Sequence, residues 1–199
     1  MDVRLVSLEG WLARQFAGVP HTLAPASEDA SFRRYFRARL ADGRSYVAMD
    51  APPGKEDCGP FLHAAALFAA AGVHVPRVNA QDLDEGFLLL EDLGSTTYLA
   101  RLSEDSATEL YAAATDALVR IQLASRPGVL PNYDRALLER ELRLFPDWYL
   151  ARERREALAP KDAQILEAAF EAILANNLAQ PKVFVHRDYH SRNLMLCQP

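Results

Sequence analysis

The chain changes its hydrophobic rhythm once, at "LLLEDLGST" (88–96), and that change restricts the fold more than any other feature. Before it, apolar residues fall in short runs broken by turn residues. After it, they recur at helical spacing over long stretches. Strands first and helices afterwards specify an α+β protein in which the two kinds of element are segregated.

In the first part, residues about 4–17 set Leu5, Leu8, Leu12 and Phe16 at helical spacing. "FRRYFRARL" and "RSYVAMD" flank Asp42-Gly43, a dipeptide that tolerates the positive φ of a two-residue hairpin turn. Pairing outward puts Ala41 opposite Arg44, Ala38 opposite Val47 and Tyr35 opposite Asp50. Phe32, Phe36, Ala38, Leu40, Val47 and Met49 are then expected toward the core. Arg33, Tyr35, Arg37, Ala48 and Asp50 are expected on the other face. A helix from about Pro60 to Ala71 follows, and "VHVPRVNA" and "GFLLLED" read as two more strands.

In the second part, Ser106 with Glu109 is expected to make a capping box for a helix to about Ser125. Helical patterns resume at about 134–157, interrupted by Pro146, and at about 161–178. "KVFV" and "NLMLC" are expected as short strands around a charged loop.

Composition narrows the class of partner. The net charge of −5, with both signs interspersed, offers no general field for nucleic acid or anionic lipid. Cys58 and Cys197 stand far apart without metal-ligand companions and read as reduced thiols. No stretch approaches the roughly 18 apolar residues that span a bilayer. We expect a cytoplasmic monomer that binds neither nucleic acid nor membrane.

The charged loop is "FVHRDYHSRNLM" (184–195). His186, Asp188 and Asn193 give the spacing H-x-D-x-x-x-x-N. A carboxylate on such a loop can orient a substrate hydroxyl for attack on a phosphoryl group, and an amide oxygen five residues on can ligate Mg²⁺. His186 would buttress the loop. Alternation of His186, Asp188 and His190 also leaves open a transition-metal site of hydrolytic type.

Taken with "ASFRRYFR", "MDAPP", "FLLLEDLG" and "LFPDWYL", the loop resembles the aminoglycoside phosphotransferase family. That resemblance implies a bilobal protein-kinase-like fold, with a small antiparallel-sheet N-lobe (1–92) and a mainly helical C-lobe (93–199). It implies ATP and Mg²⁺ as cofactors and an amino-sugar hydroxyl as acceptor, with aminoglycoside or choline-type acceptors as alternatives. Asp188 becomes the catalytic residue, seconded by His186, and Asn193 the metal ligand. Backbone groups at Glu91 and Leu93 would meet adenine, with Ala48 nearby. Ser27 and Ser31, in the turn replacing a glycine-rich loop, would bind phosphate. Trp148 is a candidate wall for the sugar, and Arg192 with Asp188 candidate acceptor contacts.

Two positions depart from the pattern. Asp50 stands where protein kinases carry a phosphate-pairing lysine. Arg33 and Arg37, as its diagonal neighbours in the expected register, would compensate it and supply the missing cation. No acid follows Asp188, so we expect the C-lobe to be truncated and a second metal ligand to lie beyond residue 199. The departures also favour a rival in which the chain is a kinase-like binding module.

Overall fold

The computed structural model describes residues 2–27 and 32–197. Helix α1 (Val3–Gln15) precedes strands β1 (His21–Ser27), β2 (Arg34–Leu40) and β3 (Ser45–Asp50). Helix α2 (Gly59–Ala70) then leads to β4 (Val78–Asp82) and β5 (Phe87–Glu91). The strands form one antiparallel sheet in the order β1-β2-β3-β5-β4.

The hairpin at Asp42-Gly43 forms, but its loop is one residue longer than the dipeptide suggests. Leu40 N–H donates to Arg44 O (2.9 Å), so Ala41, Asp42 and Gly43 make the turn. Gly43 occupies its left-handed position at φ +90°, the geometry that three-residue loops require. The register therefore moves by one: Arg34 faces Asp50, Tyr35 faces Met49 and Ala38 faces Tyr46. Because strand side chains alternate, that single step exchanges the faces of β3 relative to β2.

Two apolar clusters result, one on each side of the sheet. Leu8, Trp11, Leu12 and Phe16 of α1 pack on Ala38, Leu40, Ala48, Phe87 and Leu89, with Phe36 at the margin. On the other side Met49, Leu88 and Leu90 pack with Tyr35, Val47 and, from α2, Phe61 and Leu62. The expected common face of Ala38, Leu40, Val47 and Met49 is thus split between the two sides, and Phe32 is exposed.

Asp50 follows Ala48 onto the α1 side and is sealed there at 0% exposure. Arg4 of α1 donates to its Oδ1 through Nε and Nη2 (2.9 and 2.5 Å). Arg34, directly opposite on β2, donates to its Oδ2 (3.0 and 2.5 Å). Arg4 also donates to Glu85 O (2.7 Å) and lies 5.1 Å from the Phe87 ring centroid. A buried carboxylate survives only with partners of this kind. The expected compensation by Arg33 and Arg37 is corrected by the register: Arg33 pairs with Glu56 (3.2 Å) and Arg37 with Asp92 (2.8 Å).

By contacts the chain divides into two units, Met1–Ala124 with Arg187–Pro199, and Ser125–His186. The first also holds α3 (Tyr98–Arg101) and α4 (Ala107–Leu123), whose inner face is Leu110, Ala114 and Ile121. The predicted capping box does not form. Ser106 Oγ accepts from Ser103 N–H (2.9 Å) and donates to Arg101 O (2.7 Å), while Ala107 N–H reaches back to Ser103 O (3.0 Å). The helical turn begins too early for Ser106 to cap it.

The second unit starts α5 (Arg135–Leu144) from Asp134, whose carboxylate accepts Leu137 N–H (3.0 Å). Pro146, which has no N–H to donate, stands at the start of a ten-residue π-helical segment, Phe145–Arg154. Helix α6 (Pro160–Leu178) follows, tied to α5 by Arg143–Glu167 (2.7 Å) and by Arg135–Glu171. Phe184 N–H donates to Ser125 Oγ (2.7 Å). The strand expected at "KVFV" has no ladder among the described residues, and "NLMLC" contributes a single bridge, Met195 to Thr97. No helix among the described residues is long and apolar enough to cross a membrane.

Candidate active site

The charged loop is held to the first unit by its backbone. Tyr98 N–H donates to Leu194 O (2.8 Å), Leu99 N–H to Ser191 O (3.0 Å) and Leu196 N–H to Thr96 O (2.9 Å). Tyr189 turns inward and donates its hydroxyl to Ala114 O of α4 (2.6 Å). Burial, with Tyr98 adding to it, pushes the Tyr189 phenol above its usual range, so it remains a donor. Arg187 takes φ +70°, a left-handed conformation that costs a non-glycine residue about 1–3 kcal/mol.

On this frame Asp188 stands out into solvent, its side chain 66% exposed, with a donor on each oxygen. Asn193 Nδ2 donates to Asp188 Oδ2 (2.5 Å) and to its backbone carbonyl (3.1 Å). His190 Nδ1 accepts Arg192 N–H (3.2 Å), which fixes the tautomer and leaves Nε2 to donate to Asp188 Oδ1 (2.9 Å). The carboxylate is oriented by an imidazole and an amide, and its remaining lone pairs can accept a hydroxyl proton. With Nδ2 turned to Asp188, Asn193 offers Oδ1 as its donor to a cation.

Among the described residues no three of His, Cys, Asp and Glu converge on a point that could hold a metal ion. The alternative set His186, Asp188 and His190 is therefore not assembled. Amide and carboxylate oxygens are hard donors suited to Mg²⁺, an ion that keeps much of its water and takes few protein ligands.

The connector after β5 is the other ordered feature. Arg37 grips Asp92 with Nε (2.8 Å) and Nη2 (3.1 Å) and donates through Nη2 to Gly94 O (2.7 Å). Ser45 Oγ donates to Asp92 Oδ2 (2.5 Å), and Gly94 N–H to Oδ1 (3.0 Å). Burial tends to raise the Asp92 carboxyl. The bonds from Arg37, Ser45 and Gly94 outweigh it and hold the group below its usual range.

The remaining expected site residues are distributed as follows. Glu91 ends β5, with its carboxylate toward His74 (3.5 Å), and Leu93 lies in the connector. Ala48 is fully buried in the α1-side cluster, which leaves it no surface for a ligand. Ser27 ends β1 opposite Tyr35, and Ser31 lies outside the described residues. Arg192 is exposed, and half-buried His186 ends the second unit. Trp148 belongs to that unit, with the Arg152 guanidinium 4.0 Å over its ring. Sequence reasoning weighed His190 only as a metal ligand and passed over Asp92. The two-residue step from Asp188 to His190 on a tight loop was the available signal for the first.

Comparisons with known proteins agree with this geometry. Residues 22–199 match the family described as "Phosphotransferase enzyme family". The N-acetylmuramate/N-acetylglucosamine kinase of Pseudomonas aeruginosa is 55% identical, the match covering 100% of this chain and 61% of that protein. The protein of the same name from Neisseria meningitidis is 46% identical over 97% of this chain and 58% of its own length. The chain thus spans about three-fifths of the curated relatives it matches. Among solved structures, the streptomycin-ATP-APH(2")-IIa ternary complex has the same fold. Its TM-score is 0.59 at 16% identity, covering 99% of this chain and 67% of that one. With a shared family over nearly its whole length, the chain belongs to the phosphotransferase enzymes and carries their kinase-like α+β fold.

Proposed function

We propose that the protein carrying this chain is an ATP-dependent kinase that phosphorylates the anomeric hydroxyl of N-acetylmuramate or N-acetylglucosamine. The observation that carries the reading is the Asp188–Asn193 pair, five residues apart and bonded side chain to side chain on an exposed loop. The relatives' names supply the acceptor.

In this reading Asp188 accepts the proton of the sugar hydroxyl and aims its oxygen at the γ-phosphorus. His190 and Asn193 hold the carboxylate while it does so. Asn193 Oδ1 would hold Mg²⁺, which when bound neutralises charge on the β- and γ-phosphate oxygens. ATP lies on the α2 side of the sheet, with its base against the backbone of Glu91 and Leu93 and its phosphates toward Arg33. Asp50, on the opposite side, does not meet the phosphates, and Met49 occupies the inward position instead. Arg192, on the same loop as Asp188, contacts the acceptor. Residues 1–92 act as the nucleotide lobe and 93–199 as part of the acceptor lobe, in a cytoplasmic monomer.

The test is a panel of amino sugars, aminoglycosides and choline with ATP and the full-length protein, the phosphate position being read by NMR. Anomeric phosphorylation of either N-acetyl sugar is expected. Turnover of aminoglycoside or choline alone would overturn the acceptor. Nucleotide binding without any turnover would make the protein a binding module.

A further inference from the structure

The connector between β5 and α3 does an unusual thing for a loop: it is bonded from two strands at once. Loops are by default the mobile part of a fold, and ordering one residue costs about 1–2 kcal/mol. A base read by loop backbone must meet that cost on binding unless the protein has met it beforehand. Here Arg37 of β2 joins both Asp92 oxygens and Gly94 O, and Ser45 of β3 adds a further donor to Asp92. Gly94 turns both its N–H and its C=O into the same cluster, at φ +88°, a conformation suited to glycine. Leu93 is thereby bracketed by two fixed neighbours. The charges match, and the two side chains are only 16% and 8% exposed, so this is not a solvated surface pair.

We propose that Arg37 and Asp92 are positioning residues for nucleotide recognition: they hold the Leu93 backbone in the conformation that reads an adenine-type base, and Arg37 does not serve as a phosphate cation. The inference rests on the nucleotide reading above and sharpens it. The guanidinium is committed to one carboxylate and one carbonyl, so binding phosphate would require it to leave both. Arginine suits the clamp because its planar fork makes several bonds of fixed direction, which a lysine ammonium cannot reproduce.

The experiment uses the full-length protein, the variants Asp92→Asn, Arg37→Met and Arg37→Lys, and the probes adenosine, guanosine and ATP. Each variant should weaken adenosine and ATP by the same factor, about tenfold for one loop residue newly ordered on binding. Preference for adenosine over guanosine should fall. KM for ATP should rise while kcat changes little, and amide exchange should quicken at Leu93 and Gly94 but not within β2 and β3. Arg37→Lys should fail to restore binding. Loss of ATP affinity with adenosine unchanged, or rescue by Arg37→Lys, would make Arg37 a phosphate ligand and overturn the proposal. Unchanged binding in all three variants, or quickened exchange throughout the sheet, would overturn it equally. If the unmodified protein binds neither adenosine nor ATP, the nucleotide reading itself falls.

Discussion

Asp50 and Asp188 are both aspartates that the sequence marked as exceptional, and the structure treats them in opposite ways. Asp50 is at 0% exposure with an arginine on each oxygen. Asp188 is 66% exposed with an imidazole on one oxygen and an amide on the other. The first arrangement matches charge for charge and closes the seam between α1 and the sheet. The second supplies direction and leaves lone pairs facing solvent. Partner chemistry and exposure together separate a structural acid from a reactive one. Residue type alone does not.

The comparison breaks most visibly at the seam. Arg4→Met with Arg34→Met would leave Asp50 buried and unpaired, which should cost about 3–5 kcal/mol in urea unfolding. Asp50→Asn should cost less, about 1–3 kcal/mol, since the partly exposed arginines can return to water. Catalysis per folded molecule should be unchanged in both. A double variant as stable as the parent would mean that the seam is held by the apolar cluster alone.

Asp188 should behave in the reverse way. In the full-length protein Asp188→Asn should lower kcat by at least about 10²-fold, as for loss of a positioned base, with stability and nucleotide affinity nearly unchanged. His190→Ala removes one orienting bond and should lower kcat by about tenfold, the worth of one hydrogen bond. His190→Gln, which can donate to the same oxygen, should recover part of that loss. Equal damage from the Asp188 and His190 variants would return His190 to a direct role in the chemistry.

Much of this was legible in the sequence, and the parts that were not share a cause. Helix α1, four of the five strands and the Asp188–Asn193 pair follow from periodicity, turn residues and spacing, because each depends on neighbours in the chain; β1 (His21–Ser27), whose "HTLAPAS" carries no clear alternation, was not expected. The hairpin register does not: Asp42-Gly43 fits a two-residue and a three-residue loop alike, and one step decides whether Asp50 faces α1 or α2. The partners of Asp50 and Asp92 could not be read because Arg4 lies 46 residues and Arg37 lies 55 residues away in sequence. Ser106 failed as a cap because Ser103 competes for its hydroxyl three residues earlier, a local bond that the capping pattern ignores.

Asp92 sits between the two extremes, and its effect should be the smallest. It is paired with an arginine like Asp50, but it serves a loop as Asp188 does. Its carboxyl is held below the usual range despite burial, by Arg37, Ser45 and the Gly94 amide. A carboxylate whose folded pKa is depressed binds protons less readily when folded than when unfolded. Its contribution is therefore present above the unfolded value of about 3.9 and is lost as pH falls through the lower folded value. Asp2, Asp42 and Glu167 are lowered by their own arginines and will also steepen the acid limb of unfolding. Those groups are common to the parent and to Asp92→Asn, so the difference between the two proteins isolates Asp92. The parent should be the more stable near neutrality, and the gap should narrow as pH falls below the unfolded value and through the lower folded one. Chemical unfolding of the pair across that range measures it. A gap that stays constant would show that Asp92 holds the connector by shape and neutral hydrogen bonds, and that its charge contributes nothing to the clamp.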